Sequence, residues 1–139
     1  MYIMKNIYSN IYSFNKKGLN KTIKNLNNEN IVGLPTETVY GLAGNAYSIR
    51  AINKIFKLKK RPKKNPLIIH YNSIKDIRND VLLNNNFFKL YKKFCPGPLT
   101  FILKKNKKSK ITSSALANLN TVAIRFPSNR IIKTILKFI

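Results

Sequence analysis

The stretch from Pro35 to His70 constrains the fold more than any other part of the chain. It carries two unusual clusters with a helical pattern between them. The first reads Pro35-Thr36-Glu37-Thr38-Val39-Tyr40-Gly41-Leu42. The second reads Lys59-Lys60-Arg61-Pro62-Lys63-Lys64-Asn65-Pro66-Leu67-Ile68-Ile69-His70. Ahead of the first, Ile31-Val32-Gly33-Leu34 reads as a short buried strand that Pro35 stops. Ser48 is placed to cap the helix between the clusters. Ile49, Ile52, Ile55 and Phe56 form the inner face expected of that helix, with Lys54, Lys57 and Lys60 mostly outside. Arg61-Pro62 ends it, because a residue before proline avoids the helical region. Pro66–Tyr71 is the next strand. Polar and cationic groups gathered at strand ends predict a site for an anionic ligand with a small polar partner. That points to a phosphate-handling enzyme.

The remaining pattern extends this alternation. Leu19–Asn28 carries a weak helical stripe at Leu19, Ile23 and Leu26, ended by Asn27-Asn28-Glu29-Asn30. Asn72-Ser73 is set to cap a short helix, and Phe87–Phe94 reads as another. Cys95-Pro96-Gly97-Pro98 is a rigid turn into the strand Leu99–Leu103. A basic loop, Lys104–Lys110, precedes the strand Val122–Phe126. Pro127-Ser128-Asn129 opens a last helical pattern over Ile131–Ile139. Strands and helices alternate without a strict βαβ rhythm, so the expected class is α/β, a mixed sheet with helices packed against it. A length of 139 residues allows one domain, taken as 1–139. The final Ile135-Leu136-Lys137-Phe138-Ile139 is apolar and needs cover. Either an edge groove takes it, or a longer domain has been cut.

Composition excludes several classes. One cysteine, Cys95, rules out an internal disulfide and fits a reducing compartment. No run approaches the ~20 apolar residues of a membrane span. The opening segment MYIMKNIYSNIYSF lacks a signal-peptide core, so the cytoplasm is the default location. A net charge of +23 has two readings. Lysine and arginine neutralise nucleic-acid phosphates. Alternatively, abundant Lys, Asn and Ile is what AT-rich codons encode. The lysines are scattered through the sequence, which weakens the case for a dedicated patch.

The candidate chemistry is limited. Thr36, Thr38 and Tyr40 fall on one side if the segment is extended, offering three hydroxyls to a polar small molecule or simply lining a half-buried strand edge. Gly41 and Gly44 permit a turn there. Lys59, Arg61, Lys63 and Lys64 suit either the negative end of a helix dipole or a triphosphate. No Walker loop is present. His70, the one histidine, is either a structural hydrogen-bonder or a catalytic group. Arg125 closes an otherwise apolar strand, so it either caps a helix or clamps a carboxylate bidentately. Asp76, Asp80 and Glu29 read as ordinary surface acids, and no cluster has metal-ligand composition. With no paired carboxylates and no nucleophile–base pair, chemistry has to rest on positioning and charge neutralisation. Phosphoryl and nucleotidyl transfer work in that way, with a metal ion held largely by the phosphates.

Four segments together resemble the YrdC-like family, the threonylcarbamoyl-AMP synthases: PTETVYGLAGNA (35–46), KIFKLKKRPKKNPLIIH (54–70), CPGPLTFIL (95–103) and TVAIRFP (121–127). They lie in the family's order and spacing across a core of residues 31–130. The resemblance implies a YrdC-like twisted mixed sheet packed with helices. It implies a synthase that joins L-threonine, bicarbonate and ATP, with Mg²⁺ on the nucleotide, into threonylcarbamoyl-AMP and pyrophosphate. The product would feed a transfer machinery that modifies tRNA adenosine. By motif, Thr38, His70 and Arg125 would bind L-threonine, Arg125 through its carboxylate. Lys59 and Arg61, the family's K-x-R pair, would act on the phosphates, and Asn65 and Thr121 would help bind ATP. Cys95 stands where the family usually has tryptophan. The family's later strand and Ser-x-Asn loop are not found, so the sequence reads as C-terminally shortened relative to that family. The alternatives are a non-catalytic module binding tRNA or double-stranded RNA, and a degenerate remnant.

Overall fold

The computed structural model describes residues 10–37 and 39–139. Helix α1 (Lys16–Asn27) starts earlier than its apolar stripe, because the Asn15 side chain accepts the Gly18 N–H at 3.0 Å. Strands β1 (Val32–Pro35) and β2 (Tyr40–Ala43) pair antiparallel as a hairpin. Of the expected buried strand, only Leu34 is buried. Helix α2 (Ile49–Lys59) begins at Ser48, whose hydroxyl accepts the Ala51 N–H at 3.1 Å. Its buried stripe is Ala51, Ile52, Ile55 and Phe56. Ile49, expected inside, is 54% exposed, since it lies about 90° around the helix from the middle of that stripe.

Strand β3 (Ile68–His70) leads through a short helix α3 (Ile74–Ile77) to α4 (Asn85–Phe94) and strand β4 (Thr100–Lys104). A 3-10 turn (Ser113–Leu116) precedes strand β5 (Thr121–Arg125) and helix α5 (Arg130–Ile135). The sheet order is β3-β5-β4. β5 runs parallel to β3 and antiparallel to β4, which makes the sheet mixed, as expected; it is also open.

Strand periodicity divides the sheet into two faces. Ile69, Phe101, Leu103, Val122 and Ile124 point into the main core. There they meet Ile52, Ile55 and Phe56 of α2 and Phe87 of α4. Ring contacts tie α4 to the sheet, with Phe87 and Phe101 centred 4.9 Å apart and Tyr91 and Phe126 4.8 Å apart. Each such side chain contributes about 1.5–3 kcal/mol by leaving water. A smaller core joins Leu26, Leu34 and Ile135, holding α1, the hairpin and α5 together. That groove covers part of the apolar C-terminal segment. Helix α5 is shorter than its sequence pattern, and Phe138 and Ile139 remain more than half exposed.

Asp80 is not a surface acid. It is 2% exposed and accepts the hydroxyls of Tyr47 (2.6 Å), Tyr71 (2.8 Å) and Ser109 (2.7 Å). Three neutral donors replace the water that a buried carboxylate would otherwise lose. The network pins the β2–α2 loop, the end of β3 and the basic loop to the α3–α4 connection. Among the described residues no helix is long and apolar enough to cross a membrane.

Candidate active site on the open sheet face

The second face of the sheet carries the residues that bear chemistry. Register places His70, Arg125 and Thr100 side by side in one row. The next row is Ile68, Ala123 and Ile102, and the row beyond pairs Thr121 with Lys104. Ile68 is 43% exposed and Ile102 is 65% exposed, while Ala123 between them is buried, so this face is open along its two edge strands where the opposite face is sealed. His70 and Arg125 end two parallel strands. The carboxyl ends of such strands are where open α/β sheets take ligands.

Arg125 donates from Nε and Nη2 to the Thr100 hydroxyl oxygen, at 3.1 and 2.9 Å. Neither bond is to a helix C-terminus. Among the described residues the one ion pair is Arg50 with Glu29, so no described carboxylate neutralises Arg125. His70 is held below its ordinary value by burial first and by the Arg125 charge second, with Glu37 opposing them. At neutral pH the imidazole is therefore uncharged, able to accept or donate one hydrogen bond beside a cation.

Glu37 sits in the tight turn that joins β1 to β2. Thr36 lies in that turn rather than in an extended segment: its N–H reaches the Val39 carbonyl at 3.0 Å and its hydroxyl donates to the same oxygen. Thr36 and Tyr40 therefore do not share a strand face; Tyr40 opens β2 and is 78% exposed. Thr38 lies outside the described residues. The Glu37 carboxylate accepts the N–H groups of Ser128 (2.9 Å) and Asn129 (3.4 Å) and the Ser128 hydroxyl (3.3 Å). These bonds bind the turn to the start of α5. Burial, the largest single influence on the Glu37 carboxyl, raises it. These donors together with its own N–H outweigh burial, leaving it below the ordinary value.

Lys59 is the last residue of α2, exposed, and Lys60 follows in a left-handed conformation. Arg61 folds back on its own loop, donating from Nε to the Asn65 carbonyl (3.2 Å) and from Nη2 to the Pro66 carbonyl (2.9 Å). The guanidinium thus shapes the loop that carries Asn65 into β3, while keeping further donors for an anion. This loop and Thr121 both lie at the entering ends of the parallel strands. His70 and Arg125 lie at the leaving ends, about 13 Å along β5 from Thr121. A hollow of about 350 Å³ at the end of α2 is lined by Asn53, Phe56, Lys57, Lys60, Arg61 and Lys63. It shares Arg61 with the candidate set but not Lys59, His70 or Arg125. The sheet face, which carries His70 and Arg125 at one end and Thr121 at the other, is the candidate site. Sequence reasoning missed Thr100 and Glu37. Thr100 stands inside CPGPLTFIL, but only strand register shows that it meets Arg125.

The family model for Sua5/yciO/yrdC, described as telomere recombination, matches residues 24–139. The chain belongs to the Sua5/YciO/YrdC family. Its relatives include a threonylcarbamoyl-AMP synthase of Pyrococcus abyssi, 41% identical over 104 residues, covering 73% of this chain and 29% of that protein. Another threonylcarbamoyl-AMP synthase, from Bacillus subtilis, is 41% identical over 105 residues, covering 75% of this chain and 30% of that protein. The fold of this family member superposes on P. abyssi Sua5 complexed with L-threonine with a TM-score of 0.84 at 32% identity. That match covers 91% of this chain and 37% of the other. E. coli YciO shares the fold at a TM-score of 0.78 and 22% identity, over 89% of this chain and 60% of that one. The chain spans about 29–30% of the length of the first two relatives.

Proposed function

We propose that this chain forms L-threonylcarbamoyladenylate and pyrophosphate from L-threonine, bicarbonate and ATP, as a nucleotidyltransferase of tRNA modification in the cytoplasm. The observation that carries the proposal is Arg125: a cation in an open row with a neutral imidazole, with no described carboxylate to neutralise it. The amino acid's carboxylate would take the Arg125 guanidinium as its partner. His70 would hydrogen-bond the carbamate that L-threonine forms with bicarbonate, and by motif Thr38 would contact L-threonine as well. The nucleotide would lie toward Thr121, Asn65, Lys59 and Arg61, so that the adenylate stretches along β5.

In the chemical step a carbamate oxygen attacks the α-phosphorus and pyrophosphate leaves with the electron pair of the broken P–O bond. Lys59 and Arg61 would neutralise the charge that grows on the leaving phosphates. Mg²⁺ fits this site only as an ion carried by the nucleotide, since no group of three or more His, Cys, Asp or Glu among the described residues could hold one. The ion would supply further neutralisation of the phosphate oxygens.

The test is pyrophosphate release by the purified protein, with mass-spectrometric detection of the adenylate. Release that needs ATP, L-threonine and bicarbonate together supports the proposal. A folded protein that releases none overturns it. The charge of +23 favours a second reading, RNA binding without turnover. Its mark would be tRNA binding that falls steeply with salt while no pyrophosphate appears.

A further inference from the structure

We infer that Thr100 is a positioning residue that sets which edge of Arg125 meets the ligand. The inference rests on the proposed role of Arg125 toward the L-threonine carboxylate. A guanidinium offers two forks to a carboxylate: one formed by Nε and Nη2, the other by Nη1 and Nη2. Thr100 Oγ1 accepts from both atoms of the first fork, at 3.1 and 2.9 Å. The side-on edge is therefore occupied, and the end-on edge of Nη1 and Nη2 is the one left for an incoming carboxylate.

The pairing is built into the sheet. Thr100 and Arg125 are register partners on adjacent antiparallel strands and share the open face. Cross-strand partners of this kind stand about 4.5–5.5 Å apart at Cβ, too near for the long arginine side chain to lie straight toward its neighbour. The guanidinium must lean, and the hydroxyl fixes the lean. Both residues are only half-buried, so packing alone does not hold the arginine rotamer. A lone hydroxyl accepting two N–H bonds from a cation suffices to choose among its rotamers. His70 stands on the other side of Arg125, and the hydrogen bonds that restrain the guanidinium come from Thr100.

Two variants separate this from a merely structural threonine. Thr100→Val keeps the β-branched shape and removes the oxygen; Thr100→Ser keeps the oxygen. The first readout needs no ligand: hydrogen exchange at the Arg125 Nε–H, followed by NMR. The second is the dissociation constant for L-threonine, with Arg125→Gln alongside. Thr100→Val is expected to speed Nε–H exchange and weaken L-threonine binding about 10-fold or more, the range set by a hydrogen bond to a charged group, with Thr100→Ser close to native in both. If Thr100→Val leaves the Nε–H exchange unchanged, the inference falls and the role of Arg125 stands. If Arg125→Gln binds L-threonine as tightly as the native protein, the role of Arg125 falls and the inference with it.

Discussion

Glu37 holds the backbone N–H of Ser128 at 2.9 Å across 91 positions of sequence. One carboxylate thereby ties the β1–β2 turn to the segment that opens α5. Glu37→Gln should loosen this tie. Because the carboxylate is exposed, the cost in stability is expected below about 1 kcal/mol. The folded carboxyl is depressed below its ordinary 4.5, so its contribution is present above that pH and is lost as pH falls through the lower folded value. Denaturation of the native protein and Glu37→Gln at pH 7 and again at acid pH should show a difference that closes in acid. A difference that persists unchanged in acid would mean that charge is not what makes the tie.

His70 gives a clean titration, because it is the one histidine in the sequence. Its imidazole signal should titrate below 6.5, held down by burial and then by Arg125. The linked stability is fully present above 6.5 and declines as pH falls toward the folded value, and His70→Gln should flatten that decline. Saturating L-threonine should move the titration upward, since a bound carboxylate neutralises Arg125. An unmoved titration in the presence of bound L-threonine would separate Arg125 from the carboxylate.

Asp80 carries the largest expected loss of stability. Asp80→Ala strands two tyrosine hydroxyls and a serine hydroxyl, and about 2–4 kcal/mol should disappear in denaturant unfolding. Burial first and the Asp80 bond second push the Tyr47 hydroxyl up to about 12. Native stability should therefore fall as pH rises from about 10 toward 12. In Asp80→Asn the Tyr47 titration, followed by NMR of the ring carbon bearing oxygen, should drop back toward 10.

Arg61→Lys is not a conservative change here. Lysine keeps the charge but cannot reach both the Asn65 and the Pro66 carbonyls as the planar fork does. The KM for ATP in pyrophosphate release should rise about tenfold, with the KM for L-threonine within about twofold. Equal rises for both substrates would point to a general collapse of the loop.

Much of this arrangement is legible in the sequence because punctuation and periodicity are local. Ser48 announces α2, the helix stops at Lys59 just ahead of the Arg61-Pro62 signal, and the apolar runs at Leu67–Ile69 and Val122–Ile124 mark strands. Four ordered segments suffice to identify the family, because their order and spacing are themselves sequence properties. What stays hidden depends on contacts distant in sequence. Asp80 reads as a surface acid because the hydroxyls that satisfy it come from Tyr47, Tyr71 and Ser109. The Thr36–Tyr40 segment cannot keep an extended form, since a short connection between paired strands has to turn. Thr100 carries no signal at all until β4 and β5 are set in register.

β5 lies between both of its neighbours and alternates its duties residue by residue. Val122 and Ile124 are sealed in the core, while Thr121, Ala123 and Arg125 share the opposite face. A slip of one position would exchange the two sets. It would drive Arg125 into hydrocarbon and take Ile124 out of the main core. A deletion within this strand is therefore expected to cost the fold itself. In this protein an intact fold is itself an assay for the alignment of His70, Arg125 and Thr100.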